Sequence, residues 1–219
     1  MTEPSGPLDA RALRDISIAF DAATPPWPGD TPFSCGWAWA MADGASVNVS
    51  KWETSPHVGT HADAPLHVMR DGDGADRLPL EPFIGPCGVA DVRDLRGDIT
   101  LAQLKAGGWR PGTRRLLLRT GQSTADGSFP VEWPVLASDT ARALVQDGLI
   151  LLGVDAPSVD ARESKALEIH HALFGARCYV LENLDLRGVH AGAYQLLAPP
   201  LKVGGCDAAP VRAFLRALR

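Results

Sequence analysis

Leu149-Ile150-Leu151-Leu152-Gly153-Val154-Asp155 is the most apolar stretch of the chain and reads as a buried strand. Its surroundings set the fold class. Upstream, Ser138 is expected to cap a helix over Asp139–Asp147, with Gly148 as its left-handed terminator. Downstream, Ser164 opens a second helix carrying Ala166, Leu167, Ile169, His170, Leu173 and Phe174, stopped by Gly175. Arg177–Glu182 is then another strand. Strands alternating with helices define an α/β chain.

The alternation extends outward. Val89–Val92 and Arg115–Thr120 read as strands, separated by a short helix that Thr100 caps, that runs through Lys105 and that Gly107-Gly108 ends. Tyr194–Ala198 is a further strand, and Asp207 is expected to cap a last helix through Arg219. The first quarter differs. Leu13–Ile18 is a short strand, and Thr24–Phe33 holds four prolines and a glycine in ten residues, a stiff loop that presents Trp27 either as a pocket wall or as a core plug. Cys35–Met41 and Ser46–Trp52 form a hairpin about the turn Ala42–Ala45, with Trp37 and Trp39 on one face. Arg70–Asp76 lacks calcium-loop spacing and reads as a solvated turn. No repeat or linker divides the chain, so one domain is expected over residues 1–219, with residues 1–10 flexible.

The whole has 219 residues, 45% hydrophobic and 21% charged, with net charge −5 and a pI near 5.6. That balance argues against a nucleic-acid or anionic-membrane surface. No run of eighteen apolar residues suggests a membrane span, and Met1–Pro7 does not resemble a signal peptide, so a cytoplasmic protein is expected. Cys35, Cys87, Cys178 and Cys206 form no CxxC pair and are expected to be reduced, isolated thiols.

The chemistry concentrates in Ser55–His67. His57, His61, Asp63 and His67 lie within eleven residues, all at odd positions. A helix is disfavoured by Gly59 and Pro65, and Val58 stands where an HExxH protease needs glutamate. In an extended chain His61, Asp63 and His67 point the same way, and His61 and Asp63, ~6.6 Å apart, can share a metal. His57, ~13 Å from His61 when extended, joins only if Gly59 bends the chain. His67, ~13 Å beyond Asp63, falls outside direct ligation and suits acid–base work. A hydrolytic site needs further ligands, and His170 and Glu182 can converge on it. Asp155, at the end of the apolar strand, is a rival; His171 points away from His170, and His190 sits in a Gly-rich loop. No GxSxG elbow supports a serine hydrolase.

His57-x-Gly59-Thr60-His61-x-Asp63-x-Pro65-x-His67 resembles the HxGTHxDxPxH signature of the metal-dependent cyclase/formamidase family. Trp27–Phe33, Val47–Ser50, Gly153–Asp160, Ser164-Lys165, His170–Ala172 and the Leu201…Arg212 tail are similar to its kynurenine-formamidase branch. The resemblance implies a swivelling β/β/α fold, a homodimer, and two Zn2+ per subunit, with Mn2+ or Co2+ as substitutes. His57, His61 and Asp63 match ligands of one metal and His170 a ligand of the second, with Asp63 and Glu182 bridging. His67 matches the proton donor and acceptor, and Trp27 the contact to the substrate's ring. The implied reaction is hydrolysis of N-formyl-L-kynurenine to L-kynurenine and formate, in tryptophan catabolism, by a zinc-bound hydroxide. The family alternative is another cyclic amide, lactone or aryl formamide. One position departs: Asn183 follows Glu182 where that branch usually carries glycine.

Overall fold

In chain order, the computed structural model, which describes residues 13–218, contains β1 (Leu13–Asp15), β2 (Ser34–Trp39), β3 (Val49–Glu53), β4 (His61–Asp63), β5 (Ile84–Asp91), β6 (Asp98–Ile99), α1 (Leu101–Ala106), β7 (Arg115–Arg119), β8 (Val135–Leu136), α2 (Ser138–Gln146), β9 (Leu151–Val154), α3 (Glu168–Gly175), β10 (Tyr179–Glu182), β11 (Gly192–Leu197), β12 (Ala208–Pro210) and β13 (Phe214–Ala217). The flexible lead-in expected over residues 1–10 lies outside the described residues.

Among these, nine strands form one mixed sheet in the order β1-β13-β11-β5-β7-β9-β10-β4-β12. β5, β7, β9 and β10 run parallel, joined by α1, α2 and α3. Parallel neighbours need such crossovers, which explains why Leu149–Asp155 is apolar without alternation: it is covered on both faces. Leu116, Leu118, Leu152, Val154 and Val180 face the helices, packing with Leu104, Leu144 and Leu173. Leu117, Leu151 and Leu181 point the other way, against Ile16, Phe83, Leu196 and Leu215. Each leucine so buried contributes about 1.5–3 kcal/mol. Gly153 belongs to that second face, where an added Cβ would lie 2.5 Å from Leu117 Cδ2.

The second face is closed by the sheet itself. β12 and β13 are separated only by Val211-Arg212-Ala213, yet seven strand spacings divide them in the sheet. Flat, those spacings would amount to about 34 Å, whereas the connection spans at most about 14 Å. The sheet therefore curls until its ends approach, and Asp185 N–H, just past β10, donates to Ile16 O, just past β1, at 2.8 Å. The result is the expected β/β/α layering.

Four local expectations are corrected. The last helix, Asp207 to Arg219, is absent from the described residues: Ala208–Pro210 pairs with β4, and Phe214–Ala217 inserts between β1 and β11. Pro210 disfavours helix at Ala209 but is tolerated on an edge strand. Ser138 does not cap α2; its hydroxyl donates to Glu168 Oε2 at 2.8 Å. α3 begins at Glu168 rather than Ser164, because Leu167 takes a left-handed conformation (φ 47°). The β2–β3 hairpin stands apart as its own two-stranded sheet, and a register shift between Trp37 and Trp39 interrupts their simple alternation.

Candidate active site

The register of two strands assembles the core of the site. β4 pairs antiparallel with β10, His61 opposite Glu182 and Asp63 opposite Val180. Opposed residues share a face, as do residues two apart, so His61, Asp63 and Glu182 project together. Gly59 supplies the bend that His57 requires. Its φ is +71°, and an added Cβ would sit 2.8 Å from Phe20 Cβ. The turn brings His57 Nδ1 to 3.2 Å from His61 Nε2 and 3.1 Å from Asp63 Oδ1. His170, on α3, reaches in with Nε2 3.2 Å from Asp63 Oδ2 and 3.4 Å from Glu182 Oε1.

The second nitrogen of each of these imidazoles has an acceptor. His57 Nε2 lies 3.0 Å from Asp207 Oδ2, His61 Nδ1 2.9 Å from Gly59 O, and His170 Nδ1 2.7 Å from Asp160 Oδ2. Donation on that side leaves a lone pair on the nitrogen facing Asp63 and Glu182. Two groups of electron donors result. His57 Nδ1, His61 Nε2 and Asp63 Oδ1 form one; His170 Nε2, Asp63 Oδ2 and Glu182 Oε1 form the other. Asp63 is fully buried, and its Oδ1 has no hydrogen-bond partner. Three inward lone pairs 3.1–3.2 Å apart match ligands about 2.0–2.1 Å from one tetrahedral cation, which lie about 3.3 Å from each other. The residues present fit a metal.

Electrostatics point the same way. Burial opposes charge on His57, yet the hydrogen bond to Asp207 and the negative charge of Asp63 beside it raise its pKa to about 10. Burial likewise opposes charge on His61, and Asp63 lifts it to about 9. Burial resists ionisation of Asp63, but the surrounding histidines hold its carboxyl well below the usual range. The cluster demands positive charge.

His67 corrects the distance argument. Pro65–His67 forms a single 3-10 turn, so the chain folds back rather than continuing extended. The His67 ring lies 4.3 Å from that of His57, and its Nδ1 is 3.1 Å from Asp207 Oδ2. A cavity of about 500 Å³ opens over these groups, with Trp27 and Phe129 in its wall. Trp27 is both plug and wall: it packs edge-on against Phe129 and Trp133 at 5.4 and 6.1 Å. A wider cleft of about 700 Å³, beside β5 and β11, has no histidine or carboxylate in its lining.

Other candidates separate from the cluster. Asp155 accepts from Thr120 N, Gly121 N and the Thr120 hydroxyl, a structural role. His171 is exposed on α3 rather than packed behind His170, and His190 is exposed as expected. Sequence reasoning missed Asp160 and Asp207. Asp160 also accepts from Ile169 N and His170 N, capping α3 from a distant loop. The available signal was that a ligating histidine needs an acceptor on its other nitrogen.

The chain is thus a curled sheet with helices on one face and a buried histidine–carboxylate cluster on that same face; the Cyclase family model matches residues 14–161, and the chain belongs to that family. The chain is 41% identical to the kynurenine formamidase of Bordetella petrii, over 95% of this chain and 99% of that protein. A structure described as a predicted metal-dependent hydrolase from Bacillus stearothermophilus superposes with TM-score 0.77 at 29% identity, covering 93% of this chain and 97% of that one. Isatin hydrolase A from Labrenzia aggregata, at 24% identity, shares the fold with TM-score 0.80, over 97% and 96% of the two chains.

Proposed function

We propose that this chain is a metal-dependent formamidase that hydrolyses N-formyl-L-kynurenine to L-kynurenine and formate. The observation that carries the proposal is the pair of donor groups sharing Asp63 and Glu182. Asp63 offers one oxygen to each group, and Glu182 has Oε1 3.4 Å from His170 Nε2 and Oε2 3.5 Å from His61 Nε2, the arrangement that two metals need to sit side by side. In this reading His57, His61 and Asp63 hold one ion and His170 the other, with Asp63 and Glu182 bridging. Zinc is the preferred ion, with manganese or cobalt as substitutes. The relationship to the Bordetella formamidase supports the substrate.

Two bound metals would supply an activated water and withdraw charge from the formyl oxygen. The residues of the chain do the rest. Trp27 and Phe129 offer an aromatic wall to the aryl ring. His67, tied through Nδ1 to Asp207, keeps Nε2 for proton transfer. It takes the proton from water and delivers it to the leaving aniline nitrogen. Asp207 holds both His57 and His67 in register through one oxygen.

We further read the active form as a homodimer. The support is the β2–β3 hairpin, whose Trp37 and Trp39 are 61% and 63% exposed beside Met41 and Trp52, an apolar patch of the kind that a partner covers.

Formate release from N-formyl-L-kynurenine, by chelator-stripped protein with and without added zinc, is the test. Activity is expected to vanish on stripping and return with zinc; full activity of the stripped protein would sink the metal reading. Turnover of isatin without turnover of the formamide would move the substrate to the cyclic amides.

A further inference from the structure

The cavity has a basic side that the metal chemistry leaves unused. Residues 161–167 connect Asp160 to α3 along its lining, and Arg162 and Lys165 both contribute to it. The loop is braced from within: Ser164 Oγ accepts from Leu167 N at 3.1 Å, and Leu167 is left-handed. Arg162 is fastened to the aromatic wall, its guanidinium carbon 5.6 Å from the centroid of the Phe129 ring that meets Trp27 edge-on.

Neither cation is committed to a close carboxylate among the described residues. The nearest contact of Arg162 is Glu163 Oε1 at 3.9 Å, on a side chain 91% exposed, a pairing that solvent screens. The chain as a whole carries net charge −5, and Asp30 and Glu182 line the same cavity. Two uncommitted cations on one braced loop, at the cavity and next to its aromatic wall, are therefore a local feature rather than part of a basic surface.

We propose that Arg162 and Lys165 form a carboxylate-binding subsite, which takes the α-carboxylate of the amino-acid substituent on the aryl formamide. The inference rests on the formamidase reading above and adds to it the residues that select the substrate. The formamide must lie over the donor cluster, and its ring against Trp27 and Phe129. The acidic tail, several bonds away, then meets the loop that carries the cations. Arg162 offers a planar fork for two carboxylate oxygens, and Lys165 a mobile point charge.

The experiment compares wild-type, zinc-loaded protein with the double variant Arg162→Gln/Lys165→Gln on two substrates. One is N-formyl-L-kynurenine; the other is 2′-acetylformanilide, which keeps the ring and formamide but lacks the amino acid. The selectivity ratio, kcat/KM for the first over the second, is expected to fall about 10- to 100-fold in the variant, mainly through KM. A ratio unchanged within twofold would overturn the subsite. Thermal unfolding checks that the variant is folded. If the wild-type protein hydrolyses neither substrate, the formamidase reading fails, and calorimetric binding of L-kynurenine decides the subsite separately. Binding by wild type that the double variant loses would keep it; equal binding by both would remove it.

Discussion

Asp207 Oδ2 accepts from two imidazoles at once, His57 at 3.0 Å and His67 at 3.1 Å. Those hydrogen bonds hold its carboxyl far below the usual range, even though the side chain is 40% exposed. One oxygen thus couples a proposed metal ligand to the proposed proton carrier. Asp207→Asn is expected to lower turnover about 10- to 100-fold and to reduce metal retained after dialysis. His67→Ala should lower turnover with metal content intact. Equal metal content and turnover in wild type and Asp207→Asn would show that the coupling does nothing. Asn183 shows what a single letter can hide. Its φ is +54°, the left-handed region where glycine is free and asparagine is the next most tolerated residue. The departure at this position therefore preserves the backbone that glycine provides. The side chain adds a bond, accepting from Thr124 Oγ1 at 3.0 Å.

At the scale of elements, legibility followed the locality of the cause. The Thr100 cap was readable because the capping box closes within four residues: Gln103 accepts from Thr100 N, and Thr100 Oγ1 from Gln103 N. The bend at Gly59 was readable because two histidines required it. β12 and β13 were not, since their partners lie far back in the chain and their short apolar runs mimic one face of a helix. β5 was only half seen, because Gly85, Pro86 and Gly88 mask its first residues, which β11 pairs. α3 started late because Asp160, not Ser164, caps it. Gly59→Ala tests the bend directly. Left-handed strain costs about 1–2 kcal/mol, and the new methyl meets Phe20. The variant should melt at lower temperature and lose zinc affinity; unchanged zinc content would mean that His57 is positioned by something other than this turn.

For the whole molecule, charge balance and the βα alternation were visible from composition and pattern, whereas the curl of the sheet was not. It arises from a three-residue connection between strands at opposite sides of the order, a fact that no local window contains. Among the described residues no helix is long and apolar enough to cross a membrane. The exposed hairpin makes its prediction at this scale. Sedimentation equilibrium at micromolar concentration should give a dimer for the wild type and a monomer for Trp37→Ser/Trp39→Ser. A wild-type monomer across that range would remove the homodimer reading.

The seam between β12 and β13 has a practical side. Ala208–Pro210 forms the outer edge next to β4, while Phe214–Ala217 is woven into the opposite end of the sheet. Residues 208–217 therefore act as a drawstring, and Asp207 is the knot at its inner end. A protease cut after Cys206 would release both ends of the sheet and the histidines together. Loss of the proposed metal and loss of the β12 edge should appear as one event.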